Sequence, residues 1–161
     1  MPKDESGYLV PGKISPARKV PSQIRRPEYV GRKAPAQHVG GDRYTAEQIA
    51  AIRRASKLAA QALELVLNSA KPGMTTDQLD VIGHDFLIAN GAYPSTLGYR
   101  GFPKSLCTSL NEVVCHGIPD DTMLEEGDVL NIDITAFLDG VHGDNNGTVL
   151  IGDGPQEVHH R

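Results

Sequence analysis

Two aspartates on facing strands are the residues of this chain best placed to do chemistry. Residues 128–138 and 141–151 both read as β-strands, and Asp139-Gly140 between them is a two-residue hairpin signal. With that turn, Phe137 faces His142, Thr135 faces Asp144, Asp133 faces Asn146 and Asn131 faces Thr148. Side chains alternate with period two, so these eight share one face. Asp133 and Asp144 are then diagonal neighbours, with Cα atoms about 7–8 Å apart. Their carboxylates repel, and no Lys or Arg on that face offsets them. Divalent cations would resolve the conflict, because carboxylate oxygens reaching in from both strands can hold two ions side by side. The plain alternative is a solvated polar face. Exposed strand faces usually mix Lys, Glu and Thr, however, whereas the polar groups here are only carboxylate, amide, hydroxyl and imidazole.

The opposite face pairs Leu138 with Val141, Ala136 with Gly143, Ile134 with Asn145, Ile132 with Gly147 and Leu130 with Val149. It is mostly apolar, as a surface covered by helices should be. Two helices are available to cover it. Thr45 with Gln48, and Thr75 with Gln78, are capping boxes. Ile49, Ile52, Leu58, Ala59, Ala62, Leu63 and Val66 recur at helical spacing after the first, and that helix should end near Ser69, before Lys71-Pro72-Gly73. Leu79, Ile82, Phe86 and Leu87 follow the second, and Asn90-Gly91 stops it. Residues 92–106 then form a Gly- and Pro-punctuated loop carrying Tyr93, Tyr99 and Phe102. Residues 107–115 read as a strand, and His116-Gly117-Ile118-Pro119-Asp120 ends it in a turn.

Residues 1–43 differ in kind. They are rich in Pro, Gly, Lys and Arg and lack an apolar period, which predicts an extended arm with ordered structure starting near Tyr44. The arm is either a basic linker laid over the domain surface or a contact for acidic partners such as ribosomal RNA. The whole chain has 161 residues, 39% of them apolar, and a net charge of −4. That length suits one domain with a real core, and the acidic balance argues against DNA as a partner. No apolar run is long enough to span a membrane, and residues 1–10 contain no secretory apolar stretch. Cys107 and Cys115 form no CxxC pair, which fits reduced thiols and a cytoplasmic location.

Three longer motifs resemble one family. Asn131-Ile132-Asp133-Ile134-Thr135 with Val141-His142-Gly143-Asp144-Asn145-Asn146-Gly147-Thr148 resembles the metal-binding hairpin of type I methionine aminopeptidases. Ser109 through Pro119 resembles their catalytic-histidine segment, and Tyr93 through Ser105 their substrate-pocket loop. The resemblance runs from about residue 27 to 153, and the Pro-rich arm looks like that of extended actinobacterial members. It implies an α+β pita-bread fold, a curved antiparallel sheet backed by helices, with residues 44–161 forming the first of two pseudo-symmetric halves.

The resemblance also implies roles. Asp133 and Asp144 match metal ligands for two divalent ions (Co²⁺, Mn²⁺, Fe²⁺ or Zn²⁺). His116 matches the histidine that contacts the scissile amide. Tyr99, Phe102 and Cys107 match the methionine side-chain pocket. Asn111 and the Val113 carbonyl match a monovalent-cation site, while Thr148 and His142 would support the metal ligands. The implied substrates are N-terminal Met peptides and nascent chains, and the implied activity is removal of the initiator methionine. Taken alone, His116 could be a turn residue, Tyr99 and Phe102 loop anchors, and Cys107 a small buried group. His84 and His38 read as incidental.

The family's site has five protein ligands, and a His and two Glu of these belong to the second half, which should begin where this sequence reaches Arg161. The tail from Gln156 to Arg161, with His159 and His160, does not match those ligand motifs. An alternative role is therefore a half-domain that docks a partner or a complementary half.

Overall fold

The computed structural model describes residues 3–37, 39–41 and 43–153. His38 and the tail with His159 and His160 lie outside the described residues. Helix α1 spans Ala46–Ser69 and α2 spans Thr76–Ala89. Both capping boxes form as read: Gln48 N donates to Thr45 Oγ1 at 3.2 Å while Thr45 N donates to Gln48 Oε1 at 2.8 Å, and Thr75 with Gln78 repeats the exchange. The strands are β1 (Tyr93–Pro94), β2 (Cys107–Leu110), β3 (Val129–Leu138) and β4 (Val141–Leu150).

Strand β3 organises the sheet. It pairs with β4 along its full length, from Val129 with Leu150 to Leu138 with Val141. On its other edge β2 takes Leu130–Asp133 and β1 takes Ala136–Phe137. All pairings are antiparallel. Asp139 (φ 54°) and Gly140 (φ 85°) turn the hairpin with positive φ at both positions, the mirror-image geometry that matches strand twist.

Leu130, Ile132, Ile134 and Ala136 are fully buried against Ala59, Ala62, Leu63 and Val66 of α1. Each such Leu or Ile contributes roughly 1.5–3 kcal/mol of burial. Gly143 makes the close approach possible: a Cβ there would overlap the backbone of Ala55 and Ser56 in α1.

Two expectations are corrected. The strand predicted over 107–115 ends at Leu110. Asn111 enters the left-handed region (φ 52°), Val113 N folds back to Leu110 O at 3.0 Å, and Val114 is 94% exposed. The β-branched residues after Asn111 favour a strand locally, but the turn wins because the Asn111 side chain replaces a strand neighbour. Its Oδ1 accepts from Val129 N at 3.0 Å and its Nδ2 donates to Asp128 at 3.0 Å.

Ordered structure also begins well before Tyr44. Ile24 and Tyr29 are buried. Arg18 bonds Asp80 at 2.9 Å and Asp77 at 3.0 Å, and the fully buried Lys104 bonds Ser15 at 2.6 Å and also Asp77. Gly12 N donates to Asp120 at 2.6 Å. The arm is extended, as its prolines require, but it completes buried charge networks. His84 is likewise structural: it is buried, with Nδ1 2.7 Å from Ser105 Oγ and Nε2 3.2 Å from Lys19 O.

Candidate active site

The hairpin register puts Asp133 opposite Asn146 and Asp144 opposite Thr135, as the turn requires. Burial raises the Asp133 pKa above the usual carboxylate range, and the charge of Asp144 and a hydrogen bond with it add to the effect, against a small opposing pull from His116. Thr135 Oγ1 donates to Asp144 Oδ1 at 2.6 Å. Two carboxyl groups lining one cavity, one of them desolvated, form an electrostatically unfavourable pair that a cation would relieve.

These carboxylates line a cavity of about 310 Å³ with Tyr29, Ser95, Thr96, Tyr99, Cys107, His116, Thr135 and His142. A second cavity of about 450 Å³ adjoins it, walled by Arg100, Gly101, Phe102, Pro103 and Ile118. Thr96, Tyr99, Cys107 and His116 line both. The chamber that holds the carboxylates therefore opens beside one walled by Phe102, Pro103 and Ile118, and His116 lines both.

Local backbone explains how His116 gets there. It lies in the left-handed region (φ 54°) and is exposed. Gly117 follows it so closely against β2 that a Cβ would overlap the Thr108 carbonyl. Thr108 N donates to Gly117 O at 2.8 Å, and Gly117 N donates to Ser109 Oγ at 3.2 Å. Cys107, at the start of β2, is buried beneath this turn. Desolvation, followed by the charges of Asp133 and Asp144, pushes its thiol pKa up to about 12, so it stays a neutral thiol. Cys107 and Cys115 are both free.

His142 Nδ1 lies 2.9 Å from Ser95 Oγ. Its ring stacks on Tyr29 at 6.1 Å and meets Phe137 at 4.9 Å. Desolvation lowers its pKa, against the attraction of Asp144.

The expected site residues thus divide. Asp133, Asp144, His116, Tyr99, Phe102, Cys107 and His142 converge on the two chambers. Thr148 does not: its Oγ1 accepts from Asn131 Nδ2 at 3.0 Å, and Thr135 is the hydroxyl on Asp144. Asn111 and Val113 also lie away from the two chambers, and Val113 lines a separate apolar cavity of about 190 Å³. Sequence reasoning missed Tyr29, whose Pro-rich surroundings show no period, and assigned no role to Ser95 or Thr96 within the loop it quoted. The pairing of Thr135 with Asp144 was read from the strand register, but the supporting hydroxyl was assigned to Thr148.

The sequence profile described as Metallopeptidase family M24 matches residues 50–161. The chain belongs to metallopeptidase family M24. Among curated M24 relatives, "Methionine aminopeptidase 2" of Mycobacterium tuberculosis is 56% identical over 147 residues, which is 90% of this chain and 51% of that protein. "Methionine aminopeptidase 1D, chloroplastic/mitochondrial" of Arabidopsis thaliana is 48% identical over 145 residues, 89% of this chain and 41% of that protein. The crystal structure of methionine aminopeptidase from Rickettsia prowazekii superposes with a TM-score of 0.70 at 43% identity, covering 72% of this chain and 47% of that one. The chain spans about half the length of the curated relatives it matches. The fold is the α+β pita-bread fold of these M24 proteins.

M24 membership makes this a metallopeptidase fold, and the donors can be tested against that chemistry. The paired carboxylates suit hard or borderline divalent ions. Among the described residues, however, no group of three His, Cys, Asp or Glu side chains is placed to hold a metal ion. Two carboxylates do not by themselves complete a shell for such an ion.

Proposed function

We propose that this chain forms the N-terminal half of a methionine aminopeptidase site that removes the initiator methionine from nascent proteins and peptides. One observation supports this above the rest: the carboxylate chamber and the apolar chamber share Thr96, Tyr99, Cys107 and His116. A methionine side chain in the apolar chamber would present its carbonyl beside both His116 and the carboxylates.

Each residue then has a task. Asp133 and Asp144 would hold two divalent ions, Co²⁺, Mn²⁺, Fe²⁺ or Zn²⁺. When bound, such ions act as Lewis acids and make water a competent nucleophile at neutral pH. Thr135 fixes one Asp144 oxygen and so aims the carboxylate. His116 donates to the scissile amide as negative charge develops there. Tyr99 and Phe102 exclude water around an unbranched apolar side chain, and Cys107 contributes a small neutral thiol. Asn111 and Val113 would serve a monovalent cation outside the two chambers, and His142 and Thr148 would support the hairpin.

Residues 1–43 act as an arm on a catalytic half formed by residues 44–161. Nascent chains are the substrates, and the basic arm is suited to the ribosome. No helix among the described residues is long and apolar enough to cross a membrane, and we assign the protein to the cytoplasm.

A second reading follows from the two-carboxylate donor set, which has no third partner among the described residues. The chain could act as a non-catalytic half-domain that docks a complementary half. Release of methionine from Met-Ala-Ser by the purified chain, with Mn²⁺ or Co²⁺ titrated in, separates the two. Turnover abolished by Asp133→Ala supports catalysis. Absence of turnover with only weak metal binding means that the chain is half of an active site, and folding only with a complementary partner supports the docking role.

A further inference from the structure

Tyr29 is an arm residue, 66 positions ahead of Ser95, the next wall of the carboxylate chamber in chain order. Its placement is built, not incidental. Val30 N donates to Pro27 O at 3.3 Å and Arg32 N to Tyr29 O at 2.8 Å, forming a tight double turn. Glu28 braces that turn through Ala36 N at 2.8 Å and Arg32 at 3.1 Å. On either side, Ile24 and Val30 pack with Tyr93, Leu97 and Phe137 in a small core of their own.

The ring presented by this turn is 6% exposed. Its hydroxyl donates to Ser95 O at 2.5 Å. It meets Tyr99 edge-on at 5.2 Å and 88° and stacks on His142 at 18°. Tyr99 is the aromatic wall common to both chambers. Tyr99 is itself 42% exposed and follows Gly98 in a turn where Gly98, Arg100 and Gly101 all have positive φ. Within its own loop that ring meets the Arg100 guanidinium at 5.8 Å, and the edge-to-face contact with Tyr29 ties it to the arm.

We propose that Tyr29 is a specificity-determining residue: the arm supplies a wall of the carboxylate chamber and, by fixing the Tyr99 ring that both chambers share, limits the N-terminal side chain to one of methionine's width. This rests on the aminopeptidase reading above. A wall of this kind acts by excluding larger side chains, so its removal should relax selectivity more than it lowers turnover of the proper substrate.

The test compares the chain with its Tyr29→Phe and Tyr29→Ala variants, each checked for folding by circular dichroism. Two ratios are measured: hydrolysis of Met-Ala-Ser against Phe-Ala-Ser with Mn²⁺, and binding of L-methionine against L-phenylalanine by ligand-observed NMR, which needs no turnover. Wild type and Tyr29→Phe should prefer methionine equally. Tyr29→Ala should lose about tenfold or more of that preference by gaining the phenylalanine compounds. If Tyr29→Ala does not fold, Tyr29→Leu, which keeps apolar bulk without a flat ring, must show the same loss of preference. An unchanged preference in a folded variant overturns the proposal while leaving the aminopeptidase reading intact. A wild-type chain that neither cleaves nor binds the methionine compounds removes both.

Discussion

Thr135 on β3 donates its hydroxyl to Asp144 on β4 at 2.6 Å, directly across the register that pairs the two residues. This bond fixes one oxygen of Asp144, a residue that lines the chamber. Thr135→Val keeps the β-branched shape and removes the donor. Mn²⁺ affinity, followed by calorimetry, should fall about tenfold or more, in line with the loss of partners that orient metal-binding carboxylates. Unfolding in urea should change far less than metal affinity does.

Asp133 provides a sign test. Its pKa is raised in the folded chain, first by burial and then by Asp144. A carboxyl with a raised folded pKa weakens the fold once it ionises. The penalty is absent below the unfolded value of 3.8 and complete above the folded value. Asp133→Asn should therefore raise the melting temperature of the metal-free chain at neutral pH. The same variant should abolish metal-induced stabilisation. Thermal melts with and without Mn²⁺ check both halves.

His84 acts in the opposite pH range. Desolvation lowers its pKa below 6.5, so the folded chain holds it neutral while the unfolded chain takes up a proton. Its contribution is fully present above about pH 6.5 and is lost as pH falls through the depressed folded value. Urea midpoints should decline on acidification from pH 7 to 5. His84→Gln, which keeps hydrogen-bonding capacity for Ser105 and Lys19, should flatten that decline while leaving the pH 7 value within about 1 kcal/mol.

Gly143 is a steric prediction. Gly143→Ala would drive a methyl into the backbone of Ala55 and Ser56, separating α1 from the sheet. The expected loss is about 2–3 kcal/mol. Gly41→Ala, where nothing lies within 4 Å, should cost almost nothing by the same urea titration.

Much of the hairpin was legible from sequence because two local rules agree there. The period of two and the Asp139-Gly140 turn both determine which side chains face each other, and the observed register follows residue for residue. The helices were legible because each begins in a capping box of four contiguous residues. The strand beyond Leu110 was misread, since Val113 and Val114 favour extended backbone locally and nothing local reveals that Asn111 would pair with Val129. The buried ties of Arg18 and Lys104 to Asp77 and Asp80 were not legible for a related reason. Charges far apart in sequence carry no mark of their partner, and neither does an aromatic such as Tyr29 in a stretch without periodicity.

The arm's anchors also have a consequence in time. Gly12 and Lys13 bond Asp120 and Asp121, 108 residues later in each case. The acceptors for Gly12 and Lys13 are therefore synthesised roughly 5–20 s after them at ordinary elongation rates. Until then those two backbone donors wait for their acceptors, whereas Arg18 can already meet Asp77 and Asp80 on α2, and Tyr29 can meet Ser95 and Tyr99. The arm therefore seals onto the domain in stages, beginning at α2 and ending at the turn that carries Asp120 and Asp121.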